Sequence, residues 1–210
     1  KIARYPSPLI RLALEFQAHT FVRPGELRFA TWDEIDMEDS VWRIPPQRMK
    51  MRRPHDVPLV HATRTILRDV RRITGRTEGL IFPSPQAWRK PISENTLNKA
   101  LAILGYKGKH TSHGFRSSAS TILNERGYRK DVIEFQLAHV EENEVRRAYN
   151  RAQYWDERVA LMKAWADIIA SLRTGESAGS TASDRKAPGN SNAGQESGYQ
   201  GLLTDRPSHN

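Results

Sequence analysis

Residues 111–154 read TSHGFRSSASTILNERGYRKDVIEFQLAHVEENEVRRAYNRAQY, and their patterning decides the fold. Ser112 can cap a helix running to Gly127, a natural C′ residue, and residues 129–137 and 144–149 read as short helices. A longer helix over 154–172 follows, with Trp155, Val159, Met162, Trp165, Ile168 and Ile169 as its apolar positions. The same stretch sets His113, Arg116, His139 and Tyr149 in order, while Arg23 stands far upstream in FVRPGEL. Two arginines, two histidines and a tyrosine, with no cysteine and no acidic metal cluster, suit metal-free attack of a tyrosine on a phosphodiester. Guanidinium forks hold non-bridging oxygens, imidazoles orient and move protons, and the phenol oxygen becomes a covalent nucleophile.

Upstream, residues 7–19 carry Leu9, Leu12, Leu14 and Phe16 on one broad apolar face, which predicts a helix. Pro24-Gly25-Glu26-Leu27 reads as a short helical start. Phe29, Thr31, Val41, Trp42 and Ile44 favour strands around a turn at Glu38-Asp39-Ser40, and residues 55–59 read as a third strand. Between the second and third strands lies QRMKMRRP (47–54), a basic loop whose backbone can lie against a phosphate chain. Residues 61–75 form an amphipathic helix, with Ile66, Leu67, Val70 and Ile73 inside and Arg64, Arg68, Arg71 and Arg72 outside. PSPQ (83–86) reads as a turn, and Ser93 can cap a helix through Leu104. The expected class is therefore α+β: mainly α-helical, with one small three-stranded antiparallel sheet.

After Arg173 hydrophobic residues almost vanish and six of the thirteen glycines occur, so residues 174–210 read as a disordered tail. That tail holds three basic and four acidic residues, so residues 1–173 carry net +10 out of the chain's +9. The positive field belongs to the folded part, where a polyanion would bind. The absence of cysteine excludes disulfides, a thiolate nucleophile and cysteine-ligated zinc, and fits a reducing cytoplasm. No apolar run approaches the roughly 18 residues of a membrane span. The chain opens on Lys1 inside what reads as a helix, so the natural protein is expected to extend further toward its N-terminus.

Taken singly, each candidate has an ordinary explanation. His113 and Arg116 share a helix face near an N-terminal turn, a good place for a phosphate, but equally a surface histidine and a salt-bridged arginine. Arg23 can simply pair with Glu26. Lys50 lies in a basic loop with Arg48, Arg52 and Arg53, either solvated or set against DNA phosphates. His139 can be a buried histidine satisfied by a carbonyl. Tyr149 has a rival in Tyr154, but Tyr149 sits on a polar stretch among Arg146, Arg147 and Arg151, whereas Tyr154 begins an apolar helix and is the better core candidate.

The ordered set resembles the tyrosine recombinase (phage integrase) family. That family's pattern is an arginine with an acid three on, a hairpin lysine, His-x-x-Arg, a second histidine or tryptophan, and a tyrosine about ten residues later. Arg23 with Glu26, Lys50, His113 with Arg116, His139 and Tyr149 match it, and RPGEL, SHGFR, QLAHV and AYNRAQY look like the integrases of prophages, satellite phages and genomic islands. The resemblance covers about residues 1–170, with Phe115 standing where many members have leucine. Residues 1–173 would then be the catalytic domain, without the N-terminal DNA-binding domains such proteins carry, and the tail has no counterpart in the pattern.

The resemblance implies a site-specific DNA recombinase of a prophage or mobile element, acting in the bacterial cytoplasm on nucleoid DNA. Tyr149 attacks a backbone phosphorus, forms a 3′-phosphotyrosyl link and frees a 5′-hydroxyl, and reversal by a partner strand rejoins the DNA. His113 is the candidate proton acceptor, because a phenol ionises only near pH ~10. Arg23 and Arg116 stabilise charge on the non-bridging oxygens, Lys50 protonates the leaving oxygen and His139 bonds a phosphate oxygen. Glu26 holds Arg23 or an adjacent helix in place, and Arg48, Arg52 and Arg53 are candidate contacts to the DNA backbone. No cofactor or metal is called for. The partner is double-stranded DNA at attachment sites, with a homotetramer on paired sites and a chain that in isolation can be monomeric. Rival classes are a type IB topoisomerase, which reseals the same strand, and a non-catalytic DNA-binding protein. A metal-dependent nuclease is disfavoured for want of an Asp/Glu/His cluster.

Overall fold

The computed structural model describes residues 1–139 and 154–174. The short helix expected over 144–149, with Tyr149 on it, and the tail beyond residue 174 lie outside the described residues. Helix α1 (Pro8–Thr20) is central: Leu9, Leu12, Ala13, Leu14, Phe16 and Gln17 are all buried, more than one apolar face requires. A helix with so broad a buried surface must be covered from several sides. On one side it packs against α3 (His61–Thr74) and α4 (Thr96–Leu101), and on another against α5 (Gly114–Glu125) and the last helix, α7 (Trp155–Thr174).

The small sheet has strands β1 (Ile35–Asp36), β2 (Val41–Ile44) and β3 (His55–Pro58), antiparallel and in that order. Trp42 pairs with Ile35 on one side and Val57 on the other. Its indole is fully buried, packs on Phe16 at 5.6 Å and donates to Glu34 Oε2 at 2.9 Å. Arg43 alternates outward and is held by Asp36 and Asp39. The expected class therefore stands, mostly helical with this sheet, but the first strand is shorter than predicted. Phe29 is exposed at the end of α2 (Pro24–Arg28), Thr31 makes an isolated bridge to Leu80, and Trp32–Glu34 is a 3-10 turn.

Other elements differ in detail. Residues 83–86 hold the first strand and the turn of a second hairpin, β4 (Pro83–Ser84) with β5 (Ala87–Pro91), rather than a bare turn. Trp88, Arg89 and Lys90 are exposed there, so no in–out alternation marked the strand. Helix α4 begins at Thr96 after Asn95, and Ser93 bonds the Thr96 hydroxyl instead of capping it. Ile73 is exposed on α3, and Arg71 stacks over the Trp32 ring at 4.6 Å instead of facing water freely. On α7 the inward position is Arg158, 1 % exposed, rather than Val159. Among the described residues no helix is long and apolar enough to cross a membrane.

Two apolar cores meet at residues 21–23. Val22 belongs to the core of α1, the sheet, α3 and α4; Phe21 belongs to the core built by α5, α6 (Lys130–Gln136) and α7. Phe21 adopts a left-handed conformation (φ 41°) and packs edge-on to Trp165 at 6.0 Å, while the Trp165 indole donates to the Ala18 carbonyl at 2.8 Å. The chain thus leaves α1 along the seam between the cores, and the next residue is Arg23.

Burial of imidazoles gives the fold an acid-sensitive stability. His55 on β3 donates from Nε2 to the Gln136 carbonyl (3.2 Å), and burial, then the charge of Arg158, holds its pKa well below the ordinary 6.5. His19, donating to the Glu15 carbonyl, is lowered for the same first reason. The folded state therefore resists protonating both rings, while the unfolded chain takes up protons once the pH drops below about 6.5. Stability is expected to fall as the pH goes from 7 to 5, by at most ~1.4 kcal/mol per pH unit per histidine. Urea denaturation at both pH values checks this, and His55→Gln should make the loss shallower.

Candidate active site

Arg23 is the residue before α2, extended (φ −66°, ψ 147°), with Pro24 opening the helix. Buried Glu26 accepts from the Arg23 backbone N–H (2.7 Å) and from its guanidinium (2.8 Å), so one carboxylate fixes both the helix start and the side chain. The ordinary pairing and the functional one coexist here. The other arm of Arg23 reaches the Ala138 carbonyl at 3.4 Å, 115 positions along the chain.

Helix α5 delivers the next two groups. His113 is its N-cap residue and is exposed; Arg116 lies in the first turn and is 5 % exposed. Ser112 does not cap this helix. Its hydroxyl donates to Gln17 Oε1 (2.6 Å) on α1, and its N–H goes to Asn98, so the residue anchors the start of α5 from both sides. Gly114 packs closely on the His110 ring: a Cβ there would lie 3.0 Å from it, so a larger residue would push the ring aside by a few tenths of an ångström. Arg116 donates to the carbonyls of Phe21 (2.8 Å) and Leu137 (2.6 Å), bridging the corner after α1 to the corner after α6. Burial, then repulsion from Arg23, lowers its pKa to about 10, with Glu26 and Glu134 opposing the shift. It remains a cation through the neutral range.

Helix α6 ends at Gln136, Leu137 is its C-cap, and Ala138 turns left-handed (φ 49°). The N–H of Ala138 bonds the Phe135 carbonyl and that of His139 the Glu134 carbonyl, a helix stop usually built on glycine. The turn folds His139 back over Glu134, whose Oε2 accepts from Nδ1 at 2.5 Å, while Nε2 lies 3.3 Å from Arg116 Nη2. His139 is 48 % exposed, and its side-chain partners are a carboxylate and an arginine, so it is not a buried core histidine. Glu134 was not singled out from the sequence; its only sequence signal is a carboxylate five residues before the histidine.

The basic loop is a tight turn: Met49 is buried, its carbonyl accepts from the Arg52 N–H (2.9 Å), and Arg52 is left-handed (φ 50°). This presents Lys50. Arg48 points the other way, paired with Glu34 and bonded to the Glu26 carbonyl, and its side chain is 18 % exposed. Both guanidinium arms of Arg48 are thus engaged inside the protein, and it is not among the residues lining the cleft that Arg23, Lys50 and Arg116 share. Arg52 is exposed and Arg53 half-buried.

Arg23, Lys50, His113, Arg116 and His139 all line one open cleft of about 580 Å³, with Ser117, Ser120 and Thr121 of α5 adding hydroxyls. Its chemistry is that of an anion site: fixed guanidinium groups and a lysine in front, with the carboxylates of Glu26 and Glu134 behind them. Among the described residues there is no group of three or more metal-ligating side chains. Tyr149 lies outside the described residues. Tyr154 is half-buried at the start of α7, packed on Phe135 at 6.2 Å and under the Arg129 guanidinium, away from the cleft lining.

A recombinase-type catalytic domain is what this fold and cleft define, and comparison with known proteins agrees. The model of the phage integrase family matches residues 5–155. The prophage integrase IntA of Escherichia coli (strain K12) is 46 % identical over 165 residues, 79 % of this chain and 40 % of that protein. The integrase of Enterobacteria phage P4 is 41 % identical over 177 residues, covering 77 % of this chain and 40 % of its own length. The chain belongs to the phage integrase family, as a tyrosine recombinase catalytic domain of the prophage integrase type. It spans about two fifths of the length of these relatives. Its fold is similar to the lambda integrase catalytic core (TM-score 0.52, 20 % identity, 68 % of this chain and 86 % of that one). It is also similar to the subunit of a lambda integrase tetramer bound to a Holliday junction (TM-score 0.52, 21 % identity, 68 % and 44 %).

Proposed function

We propose that the protein is a site-specific DNA recombinase that integrates or excises a prophage or mobile element, with residues 1–173 as its catalytic domain and 174–210 as a tail. One observation carries the reading: side chains from four separate segments, Arg23, Lys50, His113 with Arg116, and His139, converge on one cationic cleft. A backbone phosphate seated there meets Arg23 and Arg116 at its non-bridging oxygens, with His139 beside them. Tyr149 attacks the phosphorus as His113 takes the phenolic proton, and the 5′-oxygen leaves with a proton from Lys50. The product is a 3′-phosphotyrosyl link and a free 5′-hydroxyl, and attack by a partner strand's hydroxyl reverses the step. Charge on the oxygens is balanced by arginines, the task a metal performs in other phosphoryl-transfer sites. By analogy with the lambda integrase tetramer on its junction, four copies act on paired duplex sites. DNA recombination of this kind would take place in the cytoplasm, on nucleoid DNA.

The test is incubation of the protein, in EDTA, with a nicked duplex carrying the junction of its element, followed by mapping of the covalent adduct. A DNA-linked peptide containing Tyr149 is expected. A strict requirement for a divalent ion, or cleavage without a protein link, would falsify the reading. Relaxation of supercoils without exchange between duplexes would point to a topoisomerase instead.

Lys50→Ala should slow cleavage by about 10²–10⁴-fold, the usual worth of a positioned general acid. A substrate with sulfur at the 5′-bridging position should restore the rate to within about tenfold of wild type, because a thiolate leaves without a proton. Arg48 cannot substitute: it is held by Glu34, and arginine hardly deprotonates. Equal defects on oxygen and sulfur substrates would make Lys50 a phosphate contact only.

A further inference from the structure

We propose that Glu134 is a positioning residue for the cleavage reaction, fixing His139 with its hydrogen on Nδ1 so that Nε2 is the nitrogen offered to the phosphate. The inference deepens the recombinase reading and rests on it.

An ionised carboxylate only accepts hydrogen bonds, so the 2.5 Å contact from His139 Nδ1 to Glu134 Oε2 places the hydrogen on Nδ1. On the other side of the ring stands Arg116 Nη2, which only donates, 3.3 Å from Nε2. That contact is a hydrogen bond only if Nε2 carries a lone pair. Two neighbours of opposite hydrogen-bonding character therefore specify the same tautomer and the same ring orientation. The backbone makes the pairing possible: the left-handed turn at Ala138 sets His139 over the residue five before it, an interval at which helix side chains do not ordinarily pair.

The arrangement has a consequence once a phosphate enters. Arg116 turns its N–H toward the non-bridging oxygens, and Nε2 is left facing the anion. A proton taken from the solvent of the open cleft onto Nε2 gives an imidazolium whose second N–H already has its counter-ion, so the ring donates a charge-assisted bond to the phosphate. A carboxylate behind an imidazole serves serine proteases in this way, by holding the tautomer and stabilising the imidazolium. The other charged groups of the cleft, Arg23 with Glu26, and Lys50, have their own positions and do not contact Nδ1.

The test compares wild type with Glu134→Gln, a half-exposed surface change that leaves the cores untouched. Gln can present an N–H to Nδ1 and so favours the neutral ring with hydrogen on Nε2, and it removes the counter-ion that an imidazolium at His139 has in Glu134. Long-range ¹H–¹⁵N spectra, with the His139 signals identified by their loss in His139→Gln, are expected to show Nδ1–H in wild type and a shift toward Nε2–H in Glu134→Gln. Single-turnover adduct formation should fall by roughly 10–100-fold, in the range found when the partner orienting a functional histidine is removed, with DNA affinity and Tm unchanged. In a His139→Gln background Glu134→Gln should add no further loss. Hydrogen on Nε2 in wild type, an unchanged spectrum in Glu134→Gln, or an unchanged cleavage rate would each overturn the assignment. If wild type forms no adduct at all, the recombinase reading fails, while the spectra still decide the tautomer.

Discussion

Tyr149→Phe is expected to abolish the covalent protein–DNA adduct while leaving DNA affinity within about twofold, because a phenyl ring lacks the nucleophilic oxygen and backbone charge contacts supply the binding. Tyr154→Phe should be mild by comparison. The Tyr154 hydroxyl is engaged by Asp131, and that hydrogen bond, more than any other influence, raises its pKa above the ordinary phenol value. A phenol that is harder to ionise, packed against Phe135 and absent from the cleft lining, is poorly placed to attack a phosphate. Denaturing gels of each variant on a nicked duplex decide the matter. An adduct that survives Tyr149→Phe and disappears in Tyr154→Phe would reverse the assignment.

How much of this was legible in the sequence depended on what each residue answers to. Arg23, Lys50, His113, Arg116 and His139 could be named because phosphate chemistry dictates their types, and their family order is distinctive; all five line the cleft. Helices with one apolar stripe, such as α3, could be placed to within a residue or two. What escaped were polar side chains whose partners lie far away in sequence. Periodicity treats Arg158 as an outward residue, yet it is buried, donating to Gln136 Oε1 and the Asp56 carbonyl and stacked on Phe135 and Trp155. Arg48 was read as a loop arginine because Glu34, its partner, is fourteen residues away across the sheet. Ser112 was read as a cap because capping is local, whereas its real acceptor, Gln17, is 95 positions distant. The β4–β5 hairpin escaped for a different reason: with Trp88, Arg89 and Lys90 exposed, it has no buried face to leave a pattern.

Arg116→Lys should cost at least 10²–10³-fold in cleavage, the scale of removing one preorganised donor to a developing anion, and it separates charge from geometry. Lysine keeps a cation, but its single ammonium cannot hold the Phe21 and Leu137 carbonyls and still present a planar fork to the phosphate. Those carbonyls belong to the two turns that precede Arg23 and His139, so loosening them moves three groups of the cleft at once. Arg116→Gln goes further, leaving at least one buried carbonyl without its donor at about 1–3 kcal/mol. Part of that loss is offset, because removing the buried charge also removes its desolvation and its repulsion with Arg23. Stability in urea should therefore fall modestly in the Gln variant and less in the Lys variant, while both lose cleavage by orders of magnitude. A Lys variant that cleaved within tenfold of wild type would show that the cleft needs only positive charge at this position. It would also remove the argument that Arg116 aligns the corners on which Arg23 and His139 sit.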